Sequence, residues 1–316
     1  KDQPFYLHCC STLLHGPNGE WFKSMMGKEL APGEGYLKKP LGLIDRKSVW
    51  ERIQKAGLTE SEVGYLWMDD SLGLILDKLD ELGIADNTIV VFVSDHGSER
   101  KGSLIKTRGT EIPCLIRWPK VIKPGSVSHG LLQNTDFIPT WFELAKAKIP
   151  EKYHIDGKSL AAMFEDPTVS IRKYIYGEQG AARAIKTEVF EYISIRYTDE
   201  QITGAQSKRA DRAYKTLLGL SSGISRARYF HPDIFSADQL YDLSKDPNSQ
   251  KNVAEDSSYA GQLKKMKAIL TRTVKELGPR PYGDFVPGKG TSDAEASQKI
   301  LDQLAAYHAK ENKKQK

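Results

Sequence analysis

Cysteine is scarce in this chain, with 3 in 316 residues. So few thiols exclude a disulfide framework as the source of stability. Long apolar runs are missing too, so no membrane-spanning helix is expected. There is no internal repeat, and no signal peptide is visible. The chain opens at Lys1-Asp2-Gln3-Pro4 without an initiator Met, so its start gives no compartment. A strong excess of one charge is also missing. The formal net charge is +5, which suits an anionic substrate only weakly. Part of it sits in the tail Lys310–Lys316, a solvated end.

What is present is a globular composition. With 39% hydrophobic and 28% charged residues, a chain of this length can bury a sizeable core and form two domains. Pro4 to Cys10 predicts a short buried strand, with Cys9 and Cys10 as buried free thiols and Cys114 buried on another strand. Residues 16–57 are rich in Gly, Pro and Lys and predict loop, with a short helix near Lys47–Lys55. Thr59 and Glu62 then form a capping box, and Leu58 can staple onto Val63. Tyr65, Met68, Leu72, Ile75, Leu76, Leu79 and Leu82 fall on one helical face, and Gly83 supplies the stop.

The run Thr88–Ser94 predicts a fully buried strand of a parallel sheet, and Asp95-His96-Gly97 stands at its end. Ligands of open α/β sheets bind beyond the carboxyl ends of strands, so Asp95 and His96 are candidates to bind a metal or to titrate. The alternative is an ordinary polar turn capped by Asp95. A second strand is expected near Pro113–Arg117, a turn at Pro124-Gly125, and a helix over Thr135–Lys146 that tolerates Pro139 in its first turns. After about Asp166 the pattern changes. Short strands at Tyr174–Glu178, Ala182–Lys186, Tyr192–Arg196 and Gln239–Leu243, with a helix over Tyr259–Leu277, predict a small antiparallel sheet carrying a helix. A basic insertion spans about Ser207 to Phe230. Residues 283–290 predict a linker and Ser292–Lys310 a terminal helix.

Several motifs occur in a fixed order: Asp69-Asp-Ser-Leu-Gly73, Leu79–Thr88, Phe92-Val-Ser-Asp-His-Gly97, Ile112-Pro-Cys-Leu-Ile-Arg-Trp-Pro119, Asn134-Thr-Asp-Phe-Ile-Pro-Thr140, Asp156-Gly-Lys-Ser-Leu160, and Gln239–Pro247 with Asn252-Val-Ala254. Together they resemble the sulfatase branch of the alkaline phosphatase superfamily, over roughly residues 4 to 280. The resemblance implies an α/β fold: a partial alkaline-phosphatase-like sheet sandwiched by helices (1–165), a smaller antiparallel α+β subdomain (166–282) and a linker with a basic tail (283–316).

It also implies a chemistry. A sulfate monoester is anionic and repels nucleophiles, so catalysis needs cations about the sulfate oxygens and stabilisation of the leaving alkoxide. The family holds one divalent cation, commonly Ca²⁺, with hard oxygen ligands. Carried onto this sequence, Asp95 becomes a metal ligand. His96 becomes either a second ligand, unusual for Ca²⁺, or a hydrogen-bond partner of the nucleophile or of a sulfate oxygen. His15, in Leu14-His15-Gly16-Pro17, matches a family His that contacts sulfate or protonates the leaving oxygen; the family's preceding Pro is replaced by Leu14, and an exposed loop His is the alternative. Lys101 matches the sulfate-contacting Lys at the cost of a one-residue insertion, with Lys106 as the alternative. Glu111 and Ile105 replace the family's Arg and Tyr.

The family nucleophile is a Cys, or sometimes a Ser, in Cys-x-Pro-x-Arg, the Cys being converted to formylglycine. No such motif occurs here, and Asp69-Asp70 lies on a helix rather than on the family's first strand. The expectation is therefore the C-terminal portion of a sulfatase, inactive by itself and without its nucleophile. The alternatives are a phosphodiesterase or phosphonate monoester hydrolase of the same superfamily, and a non-catalytic binder of sulfated glycans. His231 and the basic run Lys208–Arg212 with Arg226 and Arg228 are weaker candidates for a substrate groove, against surface or solvated-helix roles. The expected partner is a sulfated small molecule or polysaccharide, not nucleic acid. Export or a lysosomal location is expected by family analogy.

Overall fold

Capping chemistry sets the helices of the first part of the chain. The computed structural model describes residues 3–11, 13, 44–97, 104, 109–151, 153–179, 182–195 and 236–277. These fall into two units, one of 1–90 with 117–122 and one of 91–116 with 123–316. In the first, α1 (Arg46–Lys55) starts at Asp45, whose carboxylate accepts the Lys47 N–H. The Thr59–Glu62 capping box forms as expected, over a 3₁₀ turn that leads into α2 (Val63–Glu81). Gly83, at φ 63°, ends α2 in a Schellman motif. Its N–H donates to the Asp80 carbonyl and that of Ile84 to the Leu79 carbonyl.

The core of this unit is Val49, Ile53 and Val63, flanked by Trp50, Leu66 and Trp67. Tyr65, placed on the apolar stripe by spacing, is exposed, and so is Leu58. Asp70 faces a helix partner: its carboxylate takes a two-pronged contact from Arg52 of α1.

Pro4 to Cys10 is not a buried strand. No regular structure is assigned to it, Tyr6 is 73% exposed, and Cys9 and Cys10 are exposed thiols. A strand is held by ladder hydrogen bonds to a neighbour, and among the described residues no strand pairs with this segment.

β1 (Val90–Val93) and β2 (Cys114–Arg117) form a two-stranded sheet. β1 is shorter than the apolar run predicts and only half-buried, and its last residue, Val93, is exposed. Apolar composition gives a strand its tendency to be buried, but covering layers decide how far burial goes. Pro124-Gly125 makes a type II turn, with Gly125 at φ 75° and the Ser126 N–H on the Lys123 carbonyl. The next helix is a 3₁₀ turn over Asn134–Asp136 running into α3 (Phe137–Leu144), with Pro139 inside the first turn. A short α4 (Ala161–Glu165) follows.

The rest of the second unit is a four-stranded antiparallel sheet of β3 (Ile175–Gln179), β4 (Ala182–Lys186), β5 (Phe190–Ile195) and β6 (Asp238–Asp242), in sequence order, with α5 (Ala260–Glu276) on it. Both faces are covered, so β4 is buried along its whole length. One face packs Ile185, Tyr192 and Leu240 against Met266, Leu270 and Val274 of α5. The other packs Ala184, Ile193 and Tyr241, with Leu104 against them. No helix among the described residues is long and apolar enough to cross a membrane. The basic insertion with His231, the linker and the terminal helix predicted from sequence lie outside the described residues.

Candidate metal centre

Most of the ordered motifs prove to be joints of the frame. Asp136 is fully buried. Its Oδ2 accepts the Gln133 N–H at 2.7 Å and its Oδ1 the Lys158 N–H at 2.8 Å. The same carboxylate pairs with the Arg172 guanidinium, a side chain 7% exposed, which also donates to Gln133 Oε1 at 2.8 Å. Thr140 Oγ1 donates to the Asp136 carbonyl and accepts the Leu160 N–H at 2.9 Å. Asn134–Thr140 is thereby stitched to Asp156–Leu160. Gly157 has to be Gly, since a Cβ there would lie 2.0 Å from the Thr135 carbonyl oxygen.

The last motif is a joint as well. Asn252 Oδ1 accepts the N–H groups of Leu240 and Ala254, and its amide donates to the Asp238 carbonyl. Asp242 accepts from Ser244 Oγ, Tyr259 and Lys245, and these bonds pull its pKa down to about 2.

The tip of β1 carries the candidate residues Asp95 and His96. The Ser94 N–H donates to the Pro113 carbonyl at 3.4 Å and the buried Gly97 N–H to the Gly109 carbonyl at 3.1 Å. The Asp95–His96 turn is thus tied at both ends to the stretch leading into β2. Within it, Ser94 Oγ donates to the His96 carbonyl at 2.9 Å and the His96 N–H to Asp95 Oδ1 at 3.0 Å. His96 Nδ1 is 2.8 Å from the Gly97 carbonyl, which can only accept, so that nitrogen carries a proton. Nε2 lies 3.3 Å from Asp95 Oδ2.

The Asp95 side chain is 83% exposed. It offers a hard anionic donor of the kind Ca²⁺ prefers, whereas the His96 ring is already engaged by Gly97 and Asp95. One carboxylate supplies at most two of the about six to eight oxygens that Ca²⁺ takes. Among the described residues no three His, Cys, Asp or Glu converge as a metal site. The fit is therefore to one part of a shell.

His15, Lys101 and Lys106 lie outside the described residues. Cys114 is half-buried and burial pushes its thiol pKa up, which disfavours the nucleophilic thiolate. Sequence reasoning missed two buried ion pairs in this unit, Asp136–Arg172 and Lys186–Glu191. Arg172 and Glu191 stand in stretches with no motif, and pairs of this kind carry no short-range signal.

Residues 63–147 match the Sulfatase family model. Over 215 residues the chain is 31% identical to an ulvan-active sulfatase of Formosa agariphila, a match covering 63% of this chain and 38% of that protein. It is 27% identical over 218 residues to an N-acetylglucosamine-6-O-sulfatase of Bacteroides thetaiotaomicron, covering 67% of this chain and 34% of that one. A solved structure described under glycosaminoglycan metabolism by Bacteroides thetaiotaomicron aligns with a TM-score of 0.51 at 24% identity, over 70% of this chain and 46% of that chain. That likeness is one of fold alone. The chain spans little more than a third of the length of the two curated relatives.

Proposed function

We propose that this chain, whose residues 63–147 are sulfatase-family sequence, forms the C-terminal portion of a metal-assisted sulfate-ester hydrolase. The observation that carries the reading is the exposed Asp95 carboxylate on a hydrogen-bonded turn at the tip of β1, inside the matched stretch. A divalent cation, with Ca²⁺ the best fit to a carboxylate donor, would polarise a sulfate oxygen and lower the charge the nucleophile meets. Asp95 supplies one anionic ligand. His96, whose Nδ1–H is taken by the Gly97 carbonyl, acts through Nε2, either as a second ligand or as a hydrogen-bond partner of the nucleophile or of a sulfate oxygen. Lys101, or Lys106 in its place, neutralises sulfate charge as a point cation. His15 contacts the sulfate or gives a proton to the leaving oxygen.

The nucleophile comes from sequence outside this chain, because no Cys-x-Pro-x-Arg occurs in these residues. A sulfated polysaccharide is the substrate class we favour. Three relatives align over more than 200 residues, two of them ulvan-active sulfatases and one an N-acetylglucosamine-6-O-sulfatase, whereas a steryl-sulfatase aligns over 112 residues. Such a substrate accords with an exported enzyme.

The test is to read the coding sequence upstream of Lys1 and express it joined to this chain. A strand ending in paired Asp, then Cys-x-Pro-x-Arg, should give sulfate release that Asp95→Asn abolishes. The isolated chain should turn over no aryl sulfate. Turnover by the isolated chain, or an upstream sequence without the motif, overturns the reading; in the second case a glycan binder on the same fold becomes the better account.

A further inference from the structure

The four-stranded sheet buries a charge pair. Lys186, last residue of β4, and Glu191 of β5 are cross-strand partners. Their charges meet at 2.8 Å, with side chains 8% and 0% exposed. Burying two charges is costly unless further hydrogen bonds satisfy them, and both receive one. Ser249 Oγ, fully buried, donates to Glu191 Oε2 at 2.8 Å. Ser249 takes a left-handed backbone, φ 53°, to do so, a conformation that a non-Gly residue adopts at some cost. On the other side Lys186 Nζ donates to Thr110 Oγ1.

Thr110 is in neither strand. It follows Gly109, whose carbonyl accepts the Gly97 N–H. Leu104, from the same connection, packs on this face of the sheet, against Gly177 at 3.4 Å from where its Cβ would be. A continuous path therefore runs from Ser249 through Glu191, Lys186, Thr110 and Gly109 to Gly97, two residues from Asp95. We infer that the buried Lys186–Glu191 pair is a positioning device: through Thr110 it fixes the Gly109 carbonyl that holds the Asp95–His96 turn. The small antiparallel sheet thereby sets the direction in which the Asp95 carboxylate is presented. The role of that turn rests on the proposed hydrolase function; the mechanical coupling does not.

The test uses the full 316-residue chain and amide hydrogen exchange. Removing Lys186 alone would strand a buried carboxylate and threaten folding, so the variant is Thr110→Val, at an exposed position, with Thr110→Ser as the conservative control. The lost bond is to a charged group. Exchange at Gly97 should rise about tenfold in Thr110→Val and return to the parent rate in Thr110→Ser. Amides of Ile193 and Leu270 should not change. Unchanged Gly97 exchange overturns the inference. So does faster exchange spread evenly over β5 and α5, which would make Thr110 a general support of the fold. Titration of each variant with Ca²⁺ alone separates the two ideas. Absence of cation binding in every variant, once joined to the upstream sequence, counts against the hydrolase reading and leaves the Gly97 result standing.

Discussion

Asp136 offers the sharpest test of whether the Asn134–Thr140 motif is frame or chemistry. Its carboxylate is fully buried, accepts two backbone N–H groups at 2.7 and 2.8 Å and pairs with the nearly buried Arg172. Asp136→Ala would leave the Arg172 guanidinium out of water with Gln133 Oε1 as its described side-chain acceptor. Breaking a buried pair by removing one partner costs about 3–5 kcal/mol. The two orphaned amides add to this, but not independently, so the expected loss stays in that range. For a unit of this size that is roughly 6–20 °C in Tm. Urea unfolding followed by circular dichroism, with the m-value checked against the parent, measures it. Asp136→Ala with Arg172→Met removes both charges and should recover a large part of the loss, because an apolar replacement of a whole buried pair is often near neutral. A single-variant loss below about 1 kcal/mol, or a double variant whose cost is the sum of the two singles, would refute the reasoning. A catalytic Asp136 would show the opposite pattern, with activity lost and stability kept.

Gly157→Ala should destabilise by about 3 kcal/mol, since its Cβ would meet the Thr135 backbone rather than a side chain that can move; thermal melts decide this, and a neutral melt would show the Thr135 contact to be loose. The Asp242 carboxyl is held at about 2 by its bond from Ser244 and then by Tyr259 and Lys245. Its folded pKa is depressed, so its stabilisation is present above the ordinary Asp pKa near 4 and is lost as pH falls from there towards 2. Asp242→Asn should flatten the acid-unfolding curve in that window, and an unchanged slope would contradict the assignment. Thiol modification at neutral pH should label the exposed Cys9 and Cys10 before Cys114, whose thiol is half-buried with a raised pKa; peptide mapping that finds Cys114 labelled first would contradict this. Arg52→Ala, at a surface pair with Asp70, should cost about 1 kcal/mol or less in the same unfolding assay.

The sequence by itself settled whatever is decided within a few residues. Thr59 and Glu62 start a helix because the capping groups and the N–H donors they satisfy are three residues apart. Gly83 ends it because a left-handed residue is needed there. Pro124-Gly125 turns for the same kind of reason. The strands of the antiparallel sheet and α5 were legible from period and punctuation, and the order of weak motifs carried the family likeness. Asp95 was visible because an apolar strand delivers it to a solvent-facing end.

Tertiary structure decided the rest, since burial and long-range pairing are properties of neighbours. Pro4–Cys10 has the composition of a core strand yet lies exposed with no described strand beside it. Asp136 finds Arg172 from 36 residues away, and Ser249 finds Glu191 from 58. No local pattern encodes either contact. Which motif residues are joints followed from the same fact: Asp136, Asp242 and Asn252 point their polar groups into the frame, whereas the Asp95 side chain is 83% exposed.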